Sequence, residues 1–261
     1  MRHRDRIYVR IAREEDVEEI MAVERRVWPE EMRAAKEMFL SRIRIFPEGF
    51  LCAVKNGKIM GFICSEIIYY KDTKKKGFNW YNLTDNGYIT NSHNLRGDTL
   101  YGVSLSALPQ RSMVAVVKLI EGLNKLIIKK RLKRGIFGAR IPKYHKYHKK
   151  ISATEYIFER TKKGFFLDPE LSLYLMLGIY PVRIVEDYFE DKESLNYGVL
   201  VTWKNPFYKF TRLFPFIADL LNKLWRRRVY KAYDVFKVGK RTFNFTINRM
   251  NPDKIIMQGR S

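Results

Sequence analysis

Hydrophobic positions along the chain recur with two different periods, and the switch between them marks the elements. Leu100 to Leu108 puts Leu100, Gly102, Ser104 and Ser106 on one face and Tyr101, Val103 and Leu105 on the other, the period-two pattern of a strand. Pro109 stops it. From Ser112 onward Val116, Leu119, Ile120, Leu123, Leu126 and Ile127 recur at steps of three and four, while Lys118, Glu121, Asn124, Lys125 and Lys129 fall on the opposite side. That predicts a long amphipathic helix with Ser112 as its cap. A strand that runs straight into a helix leaves unpaired backbone N–H groups at the first helical turn, where the partial positive charge suits a phosphate.

The rest of the chain is arranged around this unit. Ile7 to Ile11 alternates with charged residues and reads as a first strand; Glu14-Glu15-Asp16 then opens a helix whose buried stripe is Val17, Ile20, Met21, Val23 and Val27. A second helix is predicted from about Glu31 to Ile45, with Met32, Ala35, Met38, Phe39 and Ile43 on one side. Asn56-Gly57 between two apolar runs is the strongest short hairpin signal, since both residues tolerate the positive φ of a type I′ turn. Phe50 to Lys55 and Lys58 to Tyr70 are therefore expected to pair antiparallel. Lys71 to Gly97 is rich in Lys, Asn, Gly and Thr and reads as a long loop, either a surface insertion or a cover for a substrate site with Phe78, Trp80 and Tyr81 as its wall. Gly135 to Ile141 is a further strand, and Lys143 to Lys150 a basic loop. Alternating Lys and aromatic residues there can grip single-stranded nucleic acid, but a solvated loop is the default. Ile151 to Lys163 reads as a short helix. A helix opened near Asp168-Pro169 and closed at Gly178 precedes a strand, and Asn196 to Trp203 gives one more.

The 261 residues suffice for one large core or one domain with an appendage. The charged opening has no apolar stretch of signal-peptide length and no apolar run approaches about eighteen residues, so a cytoplasmic protein is expected. Cys52 and Cys64 lie in apolar strand-like runs and read as buried reduced thiols; His3, His93, His145 and His148 form no metal set, and none is expected. The formal net charge of +22 changes the picture more, because it favours anionic company: a nucleotide cofactor, nucleic acid or an acidic membrane surface.

Gln110-Arg111-Ser112-Met113-Val114-Ala115, at the junction of strand and helix, resembles the Gln/Arg-x-x-Gly-x-Gly/Ala segment of the GNAT superfamily of N-acetyltransferases, with Met113 where the family has its first glycine. Leu173-Tyr174-Leu175-Met176-Leu177-Gly178-Ile179 is similar in spacing to the family's Leu-Tyr-x-x-x-Gly-Phe helix. Asp168-Pro169-x-Leu171, Tyr188 with Glu190-Asp191-Lys192-Glu193-Ser194, and Trp203-x-Asn205-Pro206 look like the acetyltransferase-like domain found fused to carbon–nitrogen hydrolases, although no hydrolase domain is expected here. The resemblance covers roughly Ile7 to Pro206. It implies an α/β fold of α+β type, the GNAT fold, with a mixed central sheet flanked by helices in a domain over 1–206.

The same resemblance implies transfer of an acetyl group from acetyl-CoA, or another acyl-CoA, to an amine acceptor without a metal. Backbone groups of Val103 and Leu105 would meet the pantetheine arm. Gln110, Arg111, Ser112, Met113, Val114 and Ala115 would form the pyrophosphate cradle, and Tyr174 would protonate the departing thiolate. A base is needed for the ammonium proton, and Glu66 and Asp98 are candidates by location. The alternative is a non-catalytic acyl-CoA-binding or basic interaction protein. The extension over 207–261 bears on that choice. From Lys204 onward there are 14 basic and 3 acidic residues, and Phe210 to Tyr233 resembles an amphipathic helix carrying Arg226-Arg227-Arg228 and interrupted by Pro215. Docking on the domain or on a second copy would bury Leu213, Ile217, Leu220, Leu221 and Leu224; an anionic membrane or nucleic acid would use the basic side.

Overall fold

The computed structural model describes residues 7–109, 112–162, 165–214, 217, 220 and 221. In chain order its elements are β1 (Tyr8–Ile11), α1 (Val17–Val27), α2 (Lys36–Ile45), β2 (Phe50–Lys55), β3 (Lys58–Ile68), α3 (Trp80–Leu83), β4 (Thr99–Ala107), α4 (Ser112–Lys129), β5 (Arg134–Arg140), α5 (Ala153–Tyr156), α6 (Pro169–Met176), β6 (Tyr180–Val185), β7 (Gly198–Lys204) and α7 (Tyr208–Leu213). They fall into two compact units. The first runs to Gly135 and resumes at Lys204; the second runs from Ile136 to Trp203.

In the first unit β1, β2, β3 and β4 pair antiparallel in sequence order. The β2–β3 hairpin turns at Asn56 and Gly57, with φ of 51° and 77°, as its sequence requires. β3 ends at Ile68, two residues earlier than its pattern suggested. α1 packs on β3 and β4, and α4 lies across β1 to β4. Gly122 of α4 permits close approach to the sheet, since a Cβ there would stand 2.7 Å from Leu51 Cδ1. Leu119, Leu123 and Ile127 fill the face on either side of it.

α2 is shorter than its periodicity predicts. Glu30–Met32 forms a separate 3-10 turn, and Arg33 to Ala35 is extended. Two hydrogen bonds account for the break: Arg33 Nε donates to the Trp28 carbonyl at 2.8 Å, and the Ala34 amide donates to Glu24 at 3.2 Å. The segment after β3 is not a loose insertion. Ile89, Thr84, Thr73 and Phe78 are buried, and the Arg42 guanidinium donates to the Gly87 carbonyl at 2.6 Å.

In the second unit the strand order is β5-β7-β6. Tyr188 lies flat against Gly138 of β5 and Gly198 of β7, both of which leave its ring no room for a side chain. Arg140 forks onto Asp191 through Nε at 2.7 Å and Nη2 at 2.9 Å, and Asp191 also accepts from Ser194 and the Glu193 amide. The basic loop is built on Tyr144, which is buried rather than solvated. The helix expected over Ile151 to Lys163 is one turn, α5; Lys163 lies outside the described residues, as do Arg226 to Arg228 and most of the extension. On α7 Leu213, one of the leucines expected to be covered, is 73% exposed, and Thr211 is the residue the helix buries. Among the described residues no helix is long and apolar enough to cross a membrane.

Candidate functional site

β4 carries small polar side chains at alternating positions, which lets large residues from α1, α2 and α3 reach the strand. Gly102 pairs with Ser65 and Ser104 with Cys64, so Val103 is an extra residue with no partner on β3, a β-bulge. The Val103 carbonyl accepts from the Trp80 indole N–H at 2.9 Å. Next to it the Ser104 hydroxyl accepts from Arg42 Nη1 at 3.2 Å. Ser106 accepts from Trp28 Nε1 and donates to Glu24, both at 2.8 Å. Burial raises the Glu24 carboxyl above its ordinary range, against the pull of Ser106 and the Ala34 amide.

On β3, opposite Tyr101, Glu66 is wholly buried. Its Oε2 accepts from the Ser92 hydroxyl at 2.6 Å, while Oε1 has no hydrogen-bond partner among the described residues. Desolvation pushes this carboxyl up to about 8, with Ser92 and Arg42 opposing. Arg42 is itself 1% exposed and keeps Nη2 without an acceptor among the described residues. Its guanidinium lies over the Phe39 ring at 5.4 Å. His93 completes the cluster. Its Nδ1 accepts from the Ile67 amide at 3.1 Å, which places the proton of the neutral ring on Nε2, and it stacks on Phe46 at 4.4 Å. Burial lowers its pKa, holding it neutral.

The sequence reading missed Arg42 and His93. The signal for Arg42 was present: it falls on the stripe of α2 that also carries Phe39 and Ile43, where a charge has no business without a polar purpose. Asp98, the other carboxylate singled out, sits elsewhere in the first unit. It accepts from the Tyr70 amide at 2.9 Å and the Thr99 hydroxyl at 3.0 Å and pairs with Lys133 at 3.1 Å. Burial works to raise its pKa, but these partners outweigh it and hold the group below the usual carboxylate range.

α4 begins at Ser112, and its 18 residues give a full helix dipole at the turn where an anion was expected. Met113 and Val114 are half-buried and Ala115 is buried. Gln110, Arg111 and the side chain of Ser112 lie outside the described residues. The N–H groups of the helix's first turn and the small Ala115 suit a pyrophosphate. Pantetheine would share the Val103 carbonyl with Trp80, which its second lone pair allows.

In the second unit α6 starts at Asp168, whose Oδ1 accepts from the amides of Glu170 at 2.9 Å and Leu171 at 3.2 Å, and it ends at Gly178 with φ +73°. Tyr174 projects from this helix, half-buried, its ring 6.0 Å from that of Phe137 on β5. Its hydroxyl has no hydrogen-bond partner among the described residues. Burial, with Glu170 and Tyr188 adding to it, pushes the phenol well above its ordinary value, so it keeps its proton at any physiological pH.

The chain is 40% identical over 201 residues to YkwB of Bacillus subtilis (strain 168), an N-acetyltransferase itself uncharacterized, covering 75% of this chain and 88% of that one. The chain belongs to the GNAT family of N-acetyltransferases. A second relative from the same organism, the probable hydrolase YhcX, is 34% identical over 206 residues; the match takes in 78% of this chain but only 40% of that longer protein. No protein-family model matches. Among solved structures, the loading GNATL domain of CurA from Lyngbya majuscula superposes with a TM-score of 0.68 at 20% identity, over 77% of this chain and 98% of that one. The GNAT-like decarboxylase GphF, solved with isobutyryl-CoA, gives 0.61 at 22% identity over 76% and 99%. This N-acetyltransferase thus has the expected α/β GNAT fold.

Proposed function

We propose that this GNAT enzyme transfers the acetyl group of acetyl-CoA to a primary amine, with Glu66 as the proton acceptor and Tyr174 as the proton donor. The amine nitrogen attacks the thioester carbonyl carbon, the C–S bond breaks, and the coenzyme leaves as a thiolate that takes the Tyr174 proton. The proton lost by the nitrogen goes to Glu66, through water where the buried carboxyl does not reach it directly. Acetyl-CoA supplies the activated acyl group. The protein's own part is to hold an anion at the first turn of α4, present backbone groups of Val103 and Leu105 to an extended chain, and keep one carboxyl and one phenol near the protonation states that the two transfers need.

The observation that carries the assignment of the base is the state of Glu66: wholly buried, bonded through one oxygen to Ser92, open at the other, and raised to about 8. A general base works best with a pKa near the working pH. Asp98, held ionised by Lys133 and by the Tyr70 amide, is too weak a base for an ammonium proton.

The test is release of free coenzyme thiol from acetyl-CoA, followed colorimetrically against a panel of primary amines from pH 6 to 9. Saturable, amine-dependent release that rises through an acid limb near pH 8 and falls sharply in Glu66→Gln is the expected result. Binding of acetyl-CoA with no amine-dependent release across small amines, aminoglycosides and peptide N-termini would overturn the proposal.

A further inference from the structure

The basic stretch after β5 has a regularity that acetyl transfer does not use. From Ile141 to Ile151 the backbone is a run of turns around a 3-10 helix at Tyr144–Lys146: the amides of Tyr144, Lys146, Tyr147 and Lys150 donate three residues back to Ile141, Lys143, Tyr144 and Tyr147, and those of His148 and Ile151 donate four back to Tyr144 and Tyr147. With between three and four residues per turn, residues three apart fall on the same side. The chain is thereby sorted into rows. Tyr144 and Tyr147 form the inner row, their rings 5.2 and 5.5 Å from that of Tyr156. Lys143, Lys146 and Lys149 form the outer row, with Lys150 beside it, and all four are exposed.

None of these four ammonium groups makes an ion pair among the described residues, and the nearby acids are already engaged. Glu155 caps the Ser152 turn, and Glu193 is bonded to Arg140. Three residues at about 1.5–2.0 Å of rise set the backbone positions of successive lysines about 5–6 Å apart. That is close to the separation of neighbouring phosphates along one nucleic-acid strand. Tyr144 is buried and Tyr147 half-buried, both packed on Tyr156, and the exposed side chains of the stretch are Lys143, Lys146, His148, Lys149 and Lys150, so the row offers charge without an exposed phenol or aliphatic side chain to insert into a bilayer.

We propose that Lys143, Lys146 and Lys149 form a ladder that binds the phosphodiester backbone of a nucleic-acid strand, without reading its bases. Because the chain as a whole is so basic, the test must separate this row from diffuse attraction. Affinity of the full chain for a fluorescein-labelled 12-nucleotide RNA is measured by anisotropy across a salt series for the wild type, for Lys143→Gln/Lys146→Gln/Lys149→Gln, and for the charge-matched control Lys58→Gln/Lys74→Gln/Lys76→Gln. Each lost phosphate contact lowers the slope of log K against log salt by about 0.7 on a single strand, so the ladder variant is expected to lose about 2 from the slope. The control should lose far less, and an all-arginine ladder should restore binding. Equal losses in the two glutamine variants would overturn the proposal. So would unchanged RNA binding with lost binding to phosphatidylserine vesicles, which would assign the surface to a membrane. Acetyl-CoA titrations of the same variants keep this outcome separate from that of the acetyl-transfer reading.

Discussion

Replacing Glu66 by Gln keeps the shape of the side chain and an oxygen for Ser92 but removes the titration. Holding the carboxyl at about 8 instead of 4.5 corresponds to a preference for the protonated form of up to about 5 kcal/mol. The folded chain binds this proton more tightly than the unfolded one. The stability that Glu66 contributes is therefore complete below about pH 4, declines by up to about 1.4 kcal/mol per pH unit as the unfolded carboxyl ionises, and is gone once the pH passes about 8. Glu66→Gln should flatten that decline. Urea unfolding at pH 5, 6.5 and 8 measures it: the stability difference between variant and wild type should swing toward the variant by about 3–5 kcal/mol across the series. Parallel curves would refute the burial argument. The same variant should lose about 10²- to 10⁴-fold in kcat if the carboxyl takes the amine proton. An unchanged kcat with its acid limb intact would refute the role as base while leaving the stability argument standing.

Tyr174→Phe should lower kcat about 10²-fold or more while KM for acetyl-CoA stays within its wild-type range, because only the proton is removed; a thiol-release assay reads both. Met113→Gly should tighten acetyl-CoA by on the order of tenfold, or 1.4 kcal/mol, in calorimetric titration, and no gain would show that the methionine leaves the cradle open. Gly138→Ala should displace the Tyr188 ring and cost about 1–3 kcal/mol in thermal or urea unfolding, whereas the same change at the open, positive-φ Gly57 acts through backbone strain alone.

The parts of the fold that were legible in the sequence are those fixed by neighbours in the chain. Asn56-Gly57 makes its turn by its own backbone preferences, Asp168 caps the helix that begins at the next residue, and Gly178 ends it. The parts that were not legible depend on partners far along the chain. α2 starts late because Glu24 and Trp28, on and just after another helix, take up the backbone and side chain of residues 33 and 34. The stretch from Lys71 to Gly97 reads as a loop by composition, yet it folds around a guanidinium 45 residues before Gly87. At the candidate site the strand could be nominated from periodicity and Glu66 and Asp98 by location alone, but what sets these two carboxylates apart, Ser92 against Lys133, is tertiary. The bulge at Val103 left no trace in the hydrophobic pattern, because Gly102, Val103 and Ser104 fit a regular strand equally well.

That bulge also makes the strand optically readable. Of the four tryptophans in the chain, Trp80 donates to the Val103 carbonyl and Trp28 to the Ser106 hydroxyl, so two indoles are bonded to one short stretch of β4. Indole emission responds to loss or strengthening of such a bond. The intrinsic fluorescence of this protein is thereby tied to the stretch of β4 to which the proposed function assigns the acyl-CoA arm, and no label is needed to watch it.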